Sequence, residues 1–272
     1  MKELDDNEIR VIGSPQQQQP RHGRWWMAVL VILVIVVIVA VALGRESQKK
    51  STSEVQQPVT ETYTSPSPVV TYEQLTIIDT IVDDVPLTLY FPDSAKATLQ
   101  IGQPEASDTS LLLAVMAADI RADNGGIVGD FVIDGRQLAR GERKEGYCAI
   151  FGGTPIMGHG GQKVLEQVLS EKGCFFRQYV LVDNGIATPP KPKGKNHRRA
   201  LCLLGDRLCV VASGDRESYH DFATALADLG ATDALALVGS ESLLMYHAEG
   251  GLLYSVGTAI DSPNANFLVW RR

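Results

Sequence analysis

The 272-residue sequence is short of several things that would have classified it at once. It has no Gly-x-Gly-x-x-Gly, no phosphate-binding Gly-x-x-x-x-Gly-Lys, no Gly-x-Ser-x-Gly and no His-Glu-x-x-His. Dinucleotide, nucleotide-triphosphate, serine-hydrolase and zinc-peptidase chemistry therefore lack their usual local framework. The five histidines have no metal-ligand spacing, and the four cysteines include no Cys-x-x-Cys, so no metal or cofactor is expected. There is no surplus of positive charge: the formal net charge is −7. A nucleic-acid partner, which needs a basic face to meet phosphates, is not expected. No internal repeat is visible.

What is present begins with a run of apolar residues. From Trp26 to Leu43 no charge interrupts the chain, and most positions are Val, Ile or Leu. At about 1.5 Å per residue the run reaches about 27 Å, the thickness of a bilayer's hydrocarbon. Insertion of such a segment is worth roughly −4 to −8 kcal/mol. Trp25 and Trp26 stand where amphipathic rings favour the membrane interface. Residues 25–43 are therefore expected to span a lipid bilayer. The alternative is a removed leader, with Ala40-Val41-Ala42 as its cleavage site. Arg21 and Arg24 lie closest upstream, and they place the N-terminus in the cytoplasm and the C-terminal domain outside.

Composition then divides the chain. Residues 1–24 end in Gln16–Gln19 between Pro15 and Pro20 and read as a cytoplasmic tail unable to bury a core. Residues 44–71 are rich in Ser, Thr and Pro and read as a disordered stalk. The two segments are charge-neutral, so the whole −7 sits in the domain expected at 72–272. There, short apolar runs predict strands at 75–82, 87–91, 111–117, 146–151, 179–182, 200–204, 208–212, 235–238, 252–256 and 267–270. Two helices are predicted. One covers 161–171, with Val164, Leu165, Val168 and Leu169 on one face. The other covers 219–229, with Ser218 as N-cap, Asp221 opposite it and Gly230 as its stop. The expected fold class is α+β: a mixed sheet with a few helices, preceded by one transmembrane helix and the stalk. Gly205-Asp206 predicts a hairpin that sets Cys202 opposite Cys209. The even cysteine count permits two disulfides, and four small buried apolar residues are the plainer alternative.

Three loops have a composition suited to ligands. Lys191–Arg199 is basic and Pro-rich, and its end would present Arg199 to a phosphate or carboxylate. Gly158-His159-Gly160-Gly161 would let backbone approach a ligand. Asn124-Gly125-Gly126 follows a strand and the acidic bend 119–123, and suits an anion or a sugar.

The order of these pieces resembles the phosphodiester glycosidase domain family. The carriers are Asn124-Gly125-Gly126, then Leu181-Val182-Asp183-Asn184-Gly185, then Arg199-Ala200 opening a strand. A helix follows that ends at Gly230, and then a strand runs into Val238-Gly239-Ser240-Glu241-Ser242. That last piece departs from the family, which has Asp-Gly-Gly where this chain has Val238, Gly239 and Ser240. The resemblance implies a sugar-phosphodiester ligand held by Asn124, Gly125, Gly126, Gly239 and Ser242, with Arg199 facing the phosphate. Cleavage of a glycosidic bond needs two carboxylates. Glu241 beyond the lost Asp, and Asp130 or Asp123 beside the Asn-Gly-Gly, would supply them. Two readings follow: a membrane-anchored hydrolase, or an inactive carbohydrate- or partner-binding envelope ectodomain. A test of the anchor comes first. The full chain is expected to stay with membranes through carbonate extraction and to need detergent for release. A mature N-terminus near Gly44, or recovery of the full chain without detergent, contradicts a retained span.

Overall fold

The computed structural model describes residues 69–72, 75–248 and 251–272. The expected tail, span and most of the stalk lie outside the described residues. Among the described residues no helix is long and apolar enough to cross a membrane.

The strands, numbered along the chain, form three antiparallel sheets. The first has eight strands. Its order is β1 (Val69–Tyr72), β2 (Leu75–Val82), β3 (Val85–Phe91), β14 (Arg207–Glu217), β13 (Asn196–Leu204), β15 (Ala231–Leu237), β11 (Val180–Asp183) and β12 (Ile186–Ala187). The second runs β7 (Arg136–Ala139), β6 (Phe131–Ile133), β10 (Cys174–Gln178), β8 (Gly146–Phe151) and β9 (Thr154–His159). The third runs β17 (Leu253–Val256), β16 (Leu244–His247), β5 (Leu111–Met116), β18 (Asn266–Arg271) and β4 (Lys96–Ile101).

One apolar core draws on all three sheets. Tyr90 and Leu201 enter it from the first, Phe131 and Phe176 from the second, and Leu113 and Trp270 from the third. The outer face of the first sheet is covered by α2 (Tyr219–Asp228), which inserts Phe222, Ala223, Ala225 and Leu226. Its start is fixed as the sequence suggests: the Asp221 N–H donates to the Ser218 hydroxyl at 3.0 Å. The second sheet is covered by α1 (Gln162–Glu171), with Leu165 and Val168 buried against Phe175. The outer face of the third carries Met116, Met245 and Phe267, roofed by Ile120, Val238 and Leu253.

The α+β expectation is overturned by this architecture. The described chain is mostly β, with 52% strand and 11% helix, and every pairing between named strands is antiparallel. The ten predicted strands and both helices are all present, with bounds shifted by a few residues. The excess strand comes partly from short buried strands such as β6 and β10 and partly from edge segments without an apolar run. In β9 (Thr154–His159) burial never becomes complete, and β7 (Arg136–Ala139) alternates exposed and half-buried residues. Such segments pair through their backbones on a sheet edge, so side-chain hydrophobicity does not announce them.

The hairpin forms with Gly205 at φ 62°, and Cys202 faces Cys209 across it. All four thiols are buried and unbridged. Burial pushes the Cys148 and Cys202 thiols well up, and that of Cys209 up to about 12. The thiolate is the reactive form, so in the native chain at mildly alkaline pH these residues should resist a thiol-specific reagent. Full labelling is expected only in guanidinium. Rapid labelling of Cys202 or Cys209 in the native state contradicts this packing.

Candidate functional site

The first candidate site lies where β5 runs out. Asn266, fully buried, accepts the Ala118 N–H at 2.7 Å and donates to the Ala118 carbonyl at 3.0 Å. The chain leaving the sheet is thereby held at a fixed point. It then folds on itself: the Val128 N–H donates to the Asp119 carbonyl at 2.8 Å, and the Arg121 N–H to the Gly126 carbonyl at 2.8 Å. Asn264 donates to the Gly125 carbonyl at 2.8 Å. Against this loop stands the end of β15, where the Val238 N–H reaches the Met116 carbonyl at 3.2 Å. Between them is a cleft of about 520 Å³ lined by Asp119, Arg121, Gly125, Val128, Val238 and Asp261, among others.

The residues expected from sequence divide by position. Gly125, at φ 68°, lines this cleft together with Val238. Asn124 is exposed, and its side-chain oxygen accepts the Gly126 N–H at 2.9 Å. The Gly125 N–H goes to the Arg121 carbonyl at 2.9 Å. Both glycine N–H donors are therefore engaged inside the loop. Asp130 is buried and accepts from Arg177 at 2.7 Å, and from Gln137 and the Gly141 N–H at 3.1 Å each. Glu241 is exposed and is not part of the cleft wall; its carbonyl accepts from Thr258. Asp123 is exposed as well.

Arg199 is buried and points a nitrogen at Ser242, donating to its carbonyl at 2.6 Å and its hydroxyl at 2.8 Å. The Ser242 hydroxyl in turn donates to the Val238 carbonyl at 2.7 Å. Gly239 packs so tightly on the His197 carbonyl that a Cβ has no room. Arg199, Gly239 and Ser242 thus form the frame of the 238–242 turn. Burial lowers the Arg199 guanidinium to about 10, so at neutral pH it remains a cation.

A second cleft of about 560 Å³ opens beside α1, lined by Glu142, Glu145, Tyr147, His159, Lys163 and Arg177, among others. His159 stands 3.4 Å from Asp183. The glycines of the His159 loop serve Tyr147: side chains at Gly158 or Gly161 would collide with its ring.

Asp119 in the wall of the first cleft, and the Lys144 and Gln178 side chains behind it, were not singled out as site residues in the sequence. The Lys144 ammonium is ion-paired to Asp119 and donates to the Gln178 side chain at 2.8 Å. Gln178 donates back to Asp119 at 3.2 Å. Lys144 sits at φ 70°, a backbone strain of about 1–3 kcal/mol for a residue with a Cβ. Its side chain is only 7% exposed, against 41% for Asp119. Burial pushes the ammonium's pKa down, and the Asp119 charge opposes that shift. A signal existed for one of them. Arg177 and Gln178 interrupt the apolar stretch from Cys174 to Val182, and two polar residues in a buried strand need partners.

No family model matches the chain, and no curated protein matches it. Solved structures do. The catalytic domain of zebrafish N-acetylglucosamine-1-phosphodiester α-N-acetylglucosaminidase, auto-inhibited by its pro-peptide, aligns with a TM-score of 0.52 at 15% identity. The alignment covers 76% of this chain and 85% of that one. A hypothetical protein from Synechocystis aligns at 0.47 and 15% identity, over 76% of this chain and 64% of that one. The first likeness is one of fold: the described chain is similar in architecture to that catalytic domain.

The framing role of Arg199 is open to measurement. Arg199→Met removes two charge-assisted hydrogen bonds and should lower unfolding stability by about 1.5–3 kcal/mol. Glu241→Gln, on an exposed side chain, should leave the denaturation midpoint unchanged. A stable Arg199→Met variant would show that the turn holds without the guanidinium.

Proposed function

We propose that the chain is a membrane-anchored ectodomain that recognises a sugar phosphodiester in the cleft between the 117–128 loop and the Val238 turn, without cleaving it. The observation that carries this reading is Val238 on the cleft wall, where the resemblance expects an aspartate. Neither Glu241, the substitute offered for that aspartate, nor Asp130 or Asp123, offered as the second carboxylate, lines the cleft. Glu241 is outside it, and Asp130 is committed to Arg177, Gln137 and Gly141. Glycoside hydrolysis needs one carboxyl to protonate the leaving oxygen and another to act as base or nucleophile. Asp119 is ion-paired with Lys144 and accepts from Gln178. Arg121 supplies a cation for the phosphodiester in the same wall. The apolar run at residues 25–43 supplies the anchor, with the domain outside.

One observation favours hydrolysis instead: Asp119 and Asp261 both line the cleft, and two carboxylates are the number the chemistry requires. The discriminating experiment uses the full chain in detergent with an aryl sugar-phosphodiester. Calorimetry should show binding, and the chromogenic assay should show no release of aryl product over hours. Turnover by the parent chain that disappears in both Asp119→Asn and Asp261→Asn would replace recognition by catalysis. An absence of binding would remove the ligand assignment altogether.

A further inference from the structure

We infer that Asp119 reads the sugar hydroxyls of the bound ligand, and that Lys144 and Gln178 are the positioning residues that hold its carboxylate in place for that task. The inference rests on the ligand reading above and specifies how the ligand lies in the cleft.

The argument starts from the two sides of one carboxylate. On its inner side Asp119 meets only donors: the Lys144 ammonium at Oδ2 and the Gln178 amide at Oδ1. On its outer side it lines the cleft and is 41% exposed. A carboxylate has about four lone-pair positions, so two engaged from behind leave the others for donors in the cleft. Sugar hydroxyls are such donors, and a pair of neighbouring hydroxyls matches two fixed oxygens. A phosphodiester offers no donor and carries like charge, so it cannot take this position. It belongs at Arg121, two residues along the same loop and also in the wall. The polarity of the cleft therefore sets the ring at Asp119 and the phosphate at Arg121.

The clamp is itself over-determined. Gln178 donates to the Ala117 carbonyl at 3.3 Å as well as to Asp119, and its oxygen accepts from Lys144 and from the Tyr179 N–H at 3.2 Å. Its amide orientation has no freedom left. The Lys144 ammonium lies 4.7 Å from the centre of the Tyr179 ring. A buried ammonium on a left-handed backbone is a costly way to neutralise a half-exposed carboxylate that water would solvate. Such cost is typical of a group held for a ligand.

The test compares ligands that differ by one hydroxyl. Titration calorimetry on the full chain would use the methyl phosphodiester of glucose and its monodeoxy analogues. The wild-type chain should bind at least one deoxy analogue about tenfold or more weakly than the complete sugar, the usual effect of deleting a hydrogen bond to a charged group. In Asp119→Asn that discrimination should vanish. In Lys144→Met it should also shrink, although Asp119 is still present. A purely structural role would weaken all analogues alike. The double variant Asp119→Asn/Lys144→Met removes both charges together, which guards against misfolding caused by an unpaired buried ammonium; it should bind the complete sugar as weakly as the deoxy one. Wild-type binding with discrimination untouched in the Asp119 variants overturns the inference and leaves the ligand reading standing. A wild-type chain that binds none of these probes overturns both.

Discussion

Trp270, Phe131, Phe176 and Tyr90 come from three different sheets and share one apolar core. Burying each such ring contributes about 1.5–3 kcal/mol. A few of them together match the about 5–15 kcal/mol by which a whole domain is stable. None of the three sheets can keep this face dry alone, so each fixes the position of the other two. The cleft follows from that constraint. It lies where β15 leaves the first sheet and β5 leaves the third, and a single backbone hydrogen bond, Val238 to Met116, spans the junction. Two loops far apart in sequence are thereby brought face to face.

Inside this frame, charge is used for construction before it is used for ligands. Arg199 lies buried, without an ion-paired carboxylate among the described residues, and draws instead on a carbonyl and a hydroxyl of Ser242. Arg177 is the back wall of the second cleft and the partner of Asp130. A guanidinium has five donors in a fixed fork, so it can bridge strand and turn where a shorter donor cannot. Residues whose type suggested chemistry are thus tied into the scaffold. Asp119, by contrast, lines the open cleft together with Arg121 and Asp261, on a loop whose entry is pinned by Asn266.

The legible part of the fold was the part with side-chain periodicity. Leu75–Val82 and Gly146–Phe151 were visible to the residue, because apolar runs bounded by turn residues mark buried strands. The edge strands β7 and β9 were not, since their contribution is backbone pairing, and with them missed the strand content was undercounted. At the site, glycine-rich turns were legible as turns: positive φ at Gly125 agrees with the Asn-Gly-Gly pattern. What those turns do with their donors was not. The Gly126 N–H returns to Asn124 two residues back, a local closure that competes with any ligand. The pairing of Asp119 with Lys144 crosses 25 residues and joins an acidic bend to a charged loop. Each half reads as solvated surface, and only the fold joins them.

This arrangement bears on how an acidic domain handles an anionic ligand. With a net charge of −7 placed in the domain, long-range attraction for a phosphodiester is absent, and approach is not steered. Whatever selectivity the cleft has must be short-range. The Asp119–Lys144 pair is neutral as a unit and so does not repel the ligand as a bare carboxylate would. It still presents two oriented oxygens. Hydrogen-bond geometry survives physiological salt, whereas exposed charge attraction is screened beyond about 8 Å. On the proposed reading, a clamped carboxylate for hydroxyls and a single arginine for phosphate would select among sugars by geometry rather than by long-range charge. The same reading would give a purpose to a buried lysine on a strained backbone in a domain whose other described lysines are exposed.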